Sequence, residues 1–155
     1  IAATGVPKKG TKVQDTKTGV SYVVTSKDAK NPTVTYSGNK DKKAKTLTVP
    51  SMVTIDGVTF KVTAIADNAF KNNKKVTKVV IPSNIITIGK NAFKGCSKLK
   101  TIQIKSTKLT SKSISKNAFK GISKRVTIKV PKKKLKAYKK LFRKKGLSKK
   151  VKMKS

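Results

Sequence analysis

The sequence predicts a solenoid of stacked, mainly β coils running in parallel, closed by a β-hairpin at one end and by a helix at the other. Three observations carry this expectation. The tetrapeptide Asn-Ala-Phe-Lys occurs at residues 68–71, 91–94 and 117–120. Apolar residues recur at fixed offsets from each of its phenylalanines. The stretches on either side of this array lose those offsets and follow other patterns.

The N-terminal stretch, 1–62, reads as a β cap and lead-in. Residues 20–25 and 33–36 alternate apolar with polar side chains, the period of a half-buried strand, and are joined by a turn-rich segment ending at Pro32. Residues 52–55 and 58–62 flank Asp56-Gly57, a strong tight-turn signal. A first partial coil begins at about residue 46, where Leu47, Val49 and Pro50 anticipate the later copies.

The coils themselves occupy 63–131. Phe70, Phe93 and Phe119 are 23 and 26 residues apart, inside the period of about 20–29 residues found in leucine-rich solenoids. Ile65, Ile88 and Ile114 stand five residues before each Phe. Val79, Ile102 and Ile128 stand nine after, and Ile81, Ile104 and Val130 eleven after. An apolar-x-apolar run of β-branched residues is a short strand, and the prolines at 50, 82 and 131 then end the ladder by removing a donor. The Asn of each tetrapeptide is suited to accept a backbone N–H and open one tight helical turn. A lone coil cannot bury its inner face, so like residues must stack on like. The expected core is therefore Phe70, Phe93 and Phe119 in one column and Ile65, Ile88 and Ile114 in another. Cys96, three residues after Phe93, is expected to be a buried, inert ladder position.

Residues 132–155 read as a basic helical cap and tail. Leu135, Tyr138, Leu141 and Phe142 fall on one face of a helix over 132–145. Pro131 at its start and Gly146 past its end mark the boundaries. Residues 147–154 add a short strand or tail.

With these residues in place, the stretch TAIADNAFKNNKKVTKVVIPSNIITIGKNAFKGCSKLKTIQI (63–104) closely resembles the BspA-like leucine-rich repeats, whose pattern runs roughly I-x-x-x-A-F-x-x-C-x-x-L-x-x-I-x-I-P. The lead-in MVTIDGVTFKVTAIADNAF (52–70) is similar too, so the resemblance covers 46–131. Two departures are visible: Arg125-Val126 stands where the third copy should carry Leu, and the array is short. The resemblance implies a right-handed leucine-rich-repeat solenoid. It also implies a secreted or cell-surface protein, mostly bacterial, engaged in adhesion or host contact.

Charge narrows the partners. The chain carries 40 Lys and Arg against 5 acids, formally +35. The acids are Asp15, Asp28, Asp41, Asp56 and Asp67, so 1–67 holds 11 basic and 5 acidic groups (+6), and 68–155 holds 29 basic and none acidic (+29). Such a half attracts polyanions at low salt. The densest region supplies Lys132, Lys133, Lys134, Lys139, Lys140, Arg143, Lys144 and Lys145 as candidate contacts to an anionic polymer such as a wall polymer or glycan. A solvated helix face is the plain structural account of the same residues. The customary binding surface of a solenoid is its outer strand face. Alternation places Thr46, Thr48, Lys78, Val80, Thr101, Gln103, Thr127 and Lys129 there, a Thr-rich and mildly basic set.

Other function classes fare worse. With no His and no Glu, the common acid–base and triad chemistries lack their parts. The scattered Asp residues suggest no metal site, and no cofactor is expected. Nucleic-acid binding has the charge in its favour, but all the basic residues except Arg125 and Arg143 are Lys, there is no Trp, and no reading motif is present. No apolar run approaches the ~20 residues that span a bilayer. The sequence thus favours a non-enzymatic extracellular module that binds a protein or an anionic polymer. A structural spacer of a larger surface protein, or a nucleic-acid binder, are the alternatives.

Overall fold

The computed structural model describes residues 5–39 and 43–155; Asp41 lies outside them. Strands β1 (Lys12–Asp15), β2 (Val20–Ser26) and β3 (Thr33–Asn39) pair antiparallel in sequence order. After β4 (Thr46–Thr48), strands β5 (Met52–Ile55) and β6 (Val58–Ile65) form a hairpin. Its turn residues Asp56 and Gly57 have φ of 50° and 80°, the left-handed pair that suits the twist of a two-residue hairpin. Strand β6 outruns the expected 58–62, because its second half changes partners. It runs parallel to β3, with Tyr36 opposite Ile65.

The remaining elements are β7 (Lys78–Ile81), β8 (Thr87–Ile88), β9 (Thr101–Ile104), β10 (Thr127–Lys129), a 3-10 turn at Lys132–Lys134 leading into α1 (Leu135–Lys144), and β11 (Lys152–Lys154). Two stacks result. In the first, Ile65 of β6 pairs with Ile88 of β8, and Ile88 bridges to Ile114. The second is a five-stranded sheet in the order β11-β10-β9-β7-β4. Every neighbouring pair in it is parallel, and Leu47, Val79, Ile102, Ile128 and Met153 lie in one register column.

Between the stacks runs a column of rings. Tyr22, Tyr36, Phe70, Phe93, Phe119, Phe142 and Tyr138 follow one another at centroid separations of 5.6, 5.4, 5.4, 6.2, 4.1 and 5.1 Å. The three repeat phenylalanines share the column that their spacing implies. Tyr22 and Tyr36 prolong it at one end, and Phe142 and Tyr138 at the other. Such contacts add about 0.5–1.5 kcal/mol each beyond the area they bury.

The Asn-Ala-Phe-Lys segments differ from the expected helical turn. Asn68 and Asn91 sit in the left-handed region, at φ of 61° and 55°. The N–H groups of Asn68, Phe70 and Asn72 donate to the carbonyls of Lys90, Ala92 and Lys94 in the next repeat, at 2.9, 2.8 and 2.8 Å. The Lys71 and Lys94 N–H groups close each turn on the Asn68 and Asn91 carbonyls at 3.1 and 3.2 Å, so the Asn backbone accepts there, and the buried Oδ1 of Asn91 has no partner among the described residues. The side chain that does receive backbone donors is Asn73, whose Oδ1 accepts from Lys75 and Val76 at 3.1 Å each. Cys96, at the equivalent place one repeat on, is buried, and its thiol donates to the Phe70 carbonyl at 3.0 Å. In the third copy Val126 fills the interior position taken by Val76 and Leu99, while Arg125 stays exposed. The phenylalanine-to-strand spacing stays at nine residues, so the interior position is only shifted by one, and the Val126 N–H donates to the Ser123 carbonyl at 3.0 Å as the Leu99 N–H does to the Cys96 carbonyl at 3.1 Å.

Candidate interaction surfaces

The outer face of the parallel sheet is built by alternation. Val79, Ile81, Ile102, Ile104, Ile128 and Val130 turn inward and are buried. Thr46, Thr48 and Lys129 are exposed, and Lys78, Thr101, Gln103 and Thr127 are half-buried. In-register pairing sets Thr46, Lys78, Thr101 and Thr127 in one row, with Thr48, Val80 and Gln103 in the next. Val80 departs from the expectation of an accessible side chain: it is only 8% exposed and stands apart from the main core cluster. Thr48 and Gln103 flank it in register, and it offers little surface of its own.

The basic residues gather elsewhere. Lys132, Lys133, Lys140, Arg143 and Lys144 are exposed, and Lys134, Lys139 and Lys145 half-buried. Lys139, Lys140, Arg143 and Lys144 lie on α1 and the others flank it; the helix is anchored by the face where Tyr138 and Phe142 are buried and Leu135 and Leu141 partly so. The Tyr138 hydroxyl donates to the Ser106 carbonyl (2.9 Å) and accepts from the Leu109 N–H (3.2 Å). Lys145 extends to the Ser111 carbonyl at 2.7 Å. No acid lies in 68–155 to neutralise this array. The strand face and the lysine-rich helix are therefore separate surfaces with different chemistry.

A third feature was not foreseen from sequence. A cavity of about 560 Å³ opens at the β4 end of the parallel sheet, lined among others by Asp15, Tyr22, Tyr36, Leu47, Met52 and Val53. Burial pushes the Tyr36 phenol up to about 12. Tyr22 is raised further, first by burial and then by Tyr36 and Asp15 nearby. Both are thus neutral O–H groups at physiological pH. The walls of the cavity come from β1–β5 and the turns between them, within residues 15–54, so only the assembly of these five strands creates it. No helix among the described residues is long and apolar enough to cross a membrane.

Comparison with known proteins agrees with this geometry. Residues 63–155 match a family model described as BspA type leucine rich repeat region, in 6 copies. The match includes the helix and β11 and not only the three most regular repeats. The fold resembles the crystal structure of a leucine rich cell surface protein from Faecalibacterium prausnitzii, at TM-score 0.59 and 27% identity over 78% of this chain. The chain spans 30% of that protein. A leucine-rich repeat protein from Bacteroides ovatus is similar at TM-score 0.50 and 27% identity, over 74% of this chain and 37% of its own. A leucine-rich repeat protein from Bacteroides capillosus shares the fold at TM-score 0.59 and 24% identity, over 77% of this chain and 82% of its own. Among curated proteins no sequence matches. The architecture is of the leucine-rich-repeat type, mainly strands with one short helix.

Proposed function

Because the chain belongs to the BspA-type leucine-rich repeat family, we propose that it acts as a non-enzymatic interaction module at a bacterial cell surface. In this reading the stacked repeats form a right-handed solenoid. Residues 1–62 close one end of it with β structure, and 132–155 close the other with α1. The outer strand face, from Thr46 and Thr48 across to Thr127 and Lys129, selects a protein partner. The lysines of α1 add salt-sensitive attachment to an anionic polymer such as a wall polymer or glycan.

The observation that carries the polymer part is the segregation of charge. Twenty-nine basic groups and no acid fall in 68–155, and the helix that bears the densest of them is anchored by its apolar face. Fixed positive charge of one sign attracts polyanions from a distance, and salt weakens that attraction as the Debye length shrinks. Lys in place of Arg suits a diffuse, hydrated contact to polymer better than forked recognition of a defined anion.

The test is retention on immobilised heparin or purified wall polymer across a salt gradient. A variant with Lys132, Lys133, Lys139, Lys140, Arg143 and Lys144 changed to Gln should elute at clearly lower salt than the unmodified protein. Equal elution would remove the polymer-binding role. Binding of a protein partner that is lost on Thr101→Lys plus Gln103→Lys, with polymer retention intact, would support the division of labour between the two surfaces.

A further inference from the structure

Among the described residues, no strand pairs with β4 on the side away from β7. Along its inner column, Val79, Ile102 and Ile128 are fully buried because each has a neighbour on both sides, whereas Leu47 at the β4 end is only partly buried. The backbone is also unfinished. The Lys45 carbonyl accepts from the Thr77 N–H, and the Val49 N–H donates to the Val80 carbonyl. Odd-numbered residues of this strand therefore face β7. Successive residues of a strand turn their N–H and C=O to opposite sides, so those of Thr46 and Thr48 face the open edge, where no partner from the described residues meets them.

Beside this edge lies the cavity of about 560 Å³, within the range of about 300–1,000 Å³ typical of ligand sites. Its apolar wall includes Leu47, Val53 and Met52, the last 47% exposed. Its polar wall includes Tyr22 and Tyr36, whose side chains are 1% and 2% exposed. Their hydroxyls have no hydrogen-bond partner among the described residues. Among the described residues, an unpaired strand edge, a partly buried end of the apolar column and a cavity wall that includes two tyrosines meet in one place. We propose that this place binds an extended, acidic peptide segment of a partner protein, which adds as a further strand alongside β4.

Each property of the occupant follows from one of these features. Backbone groups at an open edge call for an extended chain. Leu47 and Val53 call for an apolar side chain on the inward face of that chain. Lys17 on the cavity wall and Lys43 and Lys45 just before β4 outnumber Asp15 on the same wall, in a half of the chain that carries +6, and favour acidic side chains on its outward face. The site lies apart from the lysine-rich helix and does not depend on polymer binding.

The probe is the blocked pentapeptide acetyl-Glu-Val-Glu-Val-Glu-amide, titrated into the full chain by calorimetry or NMR. Two further versions carry backbone N-methyl groups, one on the Val residues and one on the internal Glu. Strand addition uses the N–H groups of only one of these sets, so one version should bind at least about tenfold more weakly and the other about as well as the parent. Thr48→Pro removes an outward-facing donor from an edge strand, where Pro is tolerated, and should abolish binding without changing the unfolding midpoint. Equal affinity of all three peptides would reduce the interaction to diffuse charge attraction and overturn the proposal. So would self-association that Thr48→Pro abolishes in a chain that binds no peptide, since a second copy would then be the occupant.

Discussion

Gly89 shows how one atom fixes the distance between repeats. A Cβ built there would press against the backbone nitrogen of Asp67 and lie 2.6 Å from the Ala66 carbonyl carbon. The closeness is needed because the Gly89 N–H donates to the Ile65 carbonyl at 2.8 Å and the Lys90 N–H to the Asp67 carboxylate at 2.7 Å. Gly89→Ala should destabilise the protein by about 1–3 kcal/mol, read as a lower urea midpoint with little change in slope. An unchanged midpoint would show that the two repeats can separate without loss. The sequence shows only that Gly89 precedes the Asn-Ala-Phe-Lys segment whereas Gly95 and Gly121 follow one; its crowding is not legible there, since it comes from residues 22 and 23 positions earlier. The repeat phenylalanines are the opposite case. Their spacing alone announced the column, because identical coils can bury a large side chain only by stacking it on its equivalents.

At the scale of elements, α1 was legible because Leu135, Tyr138, Leu141 and Phe142 mark a face with helical period, although its first turn is 3-10 rather than α. The attachment of that face was not legible. Tyr138 satisfies two buried backbone groups, the Ser106 carbonyl and the Leu109 N–H, some 30 residues away in the chain. Tyr138→Phe keeps the ring contact with Phe142 and removes both hydrogen bonds. It should cost about 1–3 kcal/mol, since two buried backbone groups lose their partner. Chemical denaturation measures this directly, and a neutral result would mean that ring packing alone holds the helix. Strand β1 escaped the sequence reading for a different reason. Its four residues, KVQD, contain a single apolar side chain, too few for alternation to register.

At the scale of the molecule, a ring column seven side chains long lies inside a body of formal charge +35. The column holds the repeats together, while the 29 basic groups of 68–155 push them apart. Salt weakens the repulsion and spares the buried contacts, because the Debye length falls from about 30 Å at 0.01 M to about 8 Å at 0.15 M. The melting temperature should therefore rise across that range of sodium chloride. A flat response would mean that the lysines are spaced widely enough not to strain the fold. The same salt increase should weaken polymer retention, so stability and attachment are expected to move in opposite directions.

Composition and periodicity by themselves determined the repeat, its inward residues, the amphipathic helix and the uneven charge. These are properties of residues read at fixed intervals along one chain, and stacking physics leaves them little choice. The tertiary structure alone decided that Tyr22, Tyr36, Phe142 and Tyr138 extend the ring column, that Val80 is buried, and that β4 ends the sheet beside an open cavity. Each depends on segments without a common period meeting in space, and local sequence pattern carries no record of such meetings.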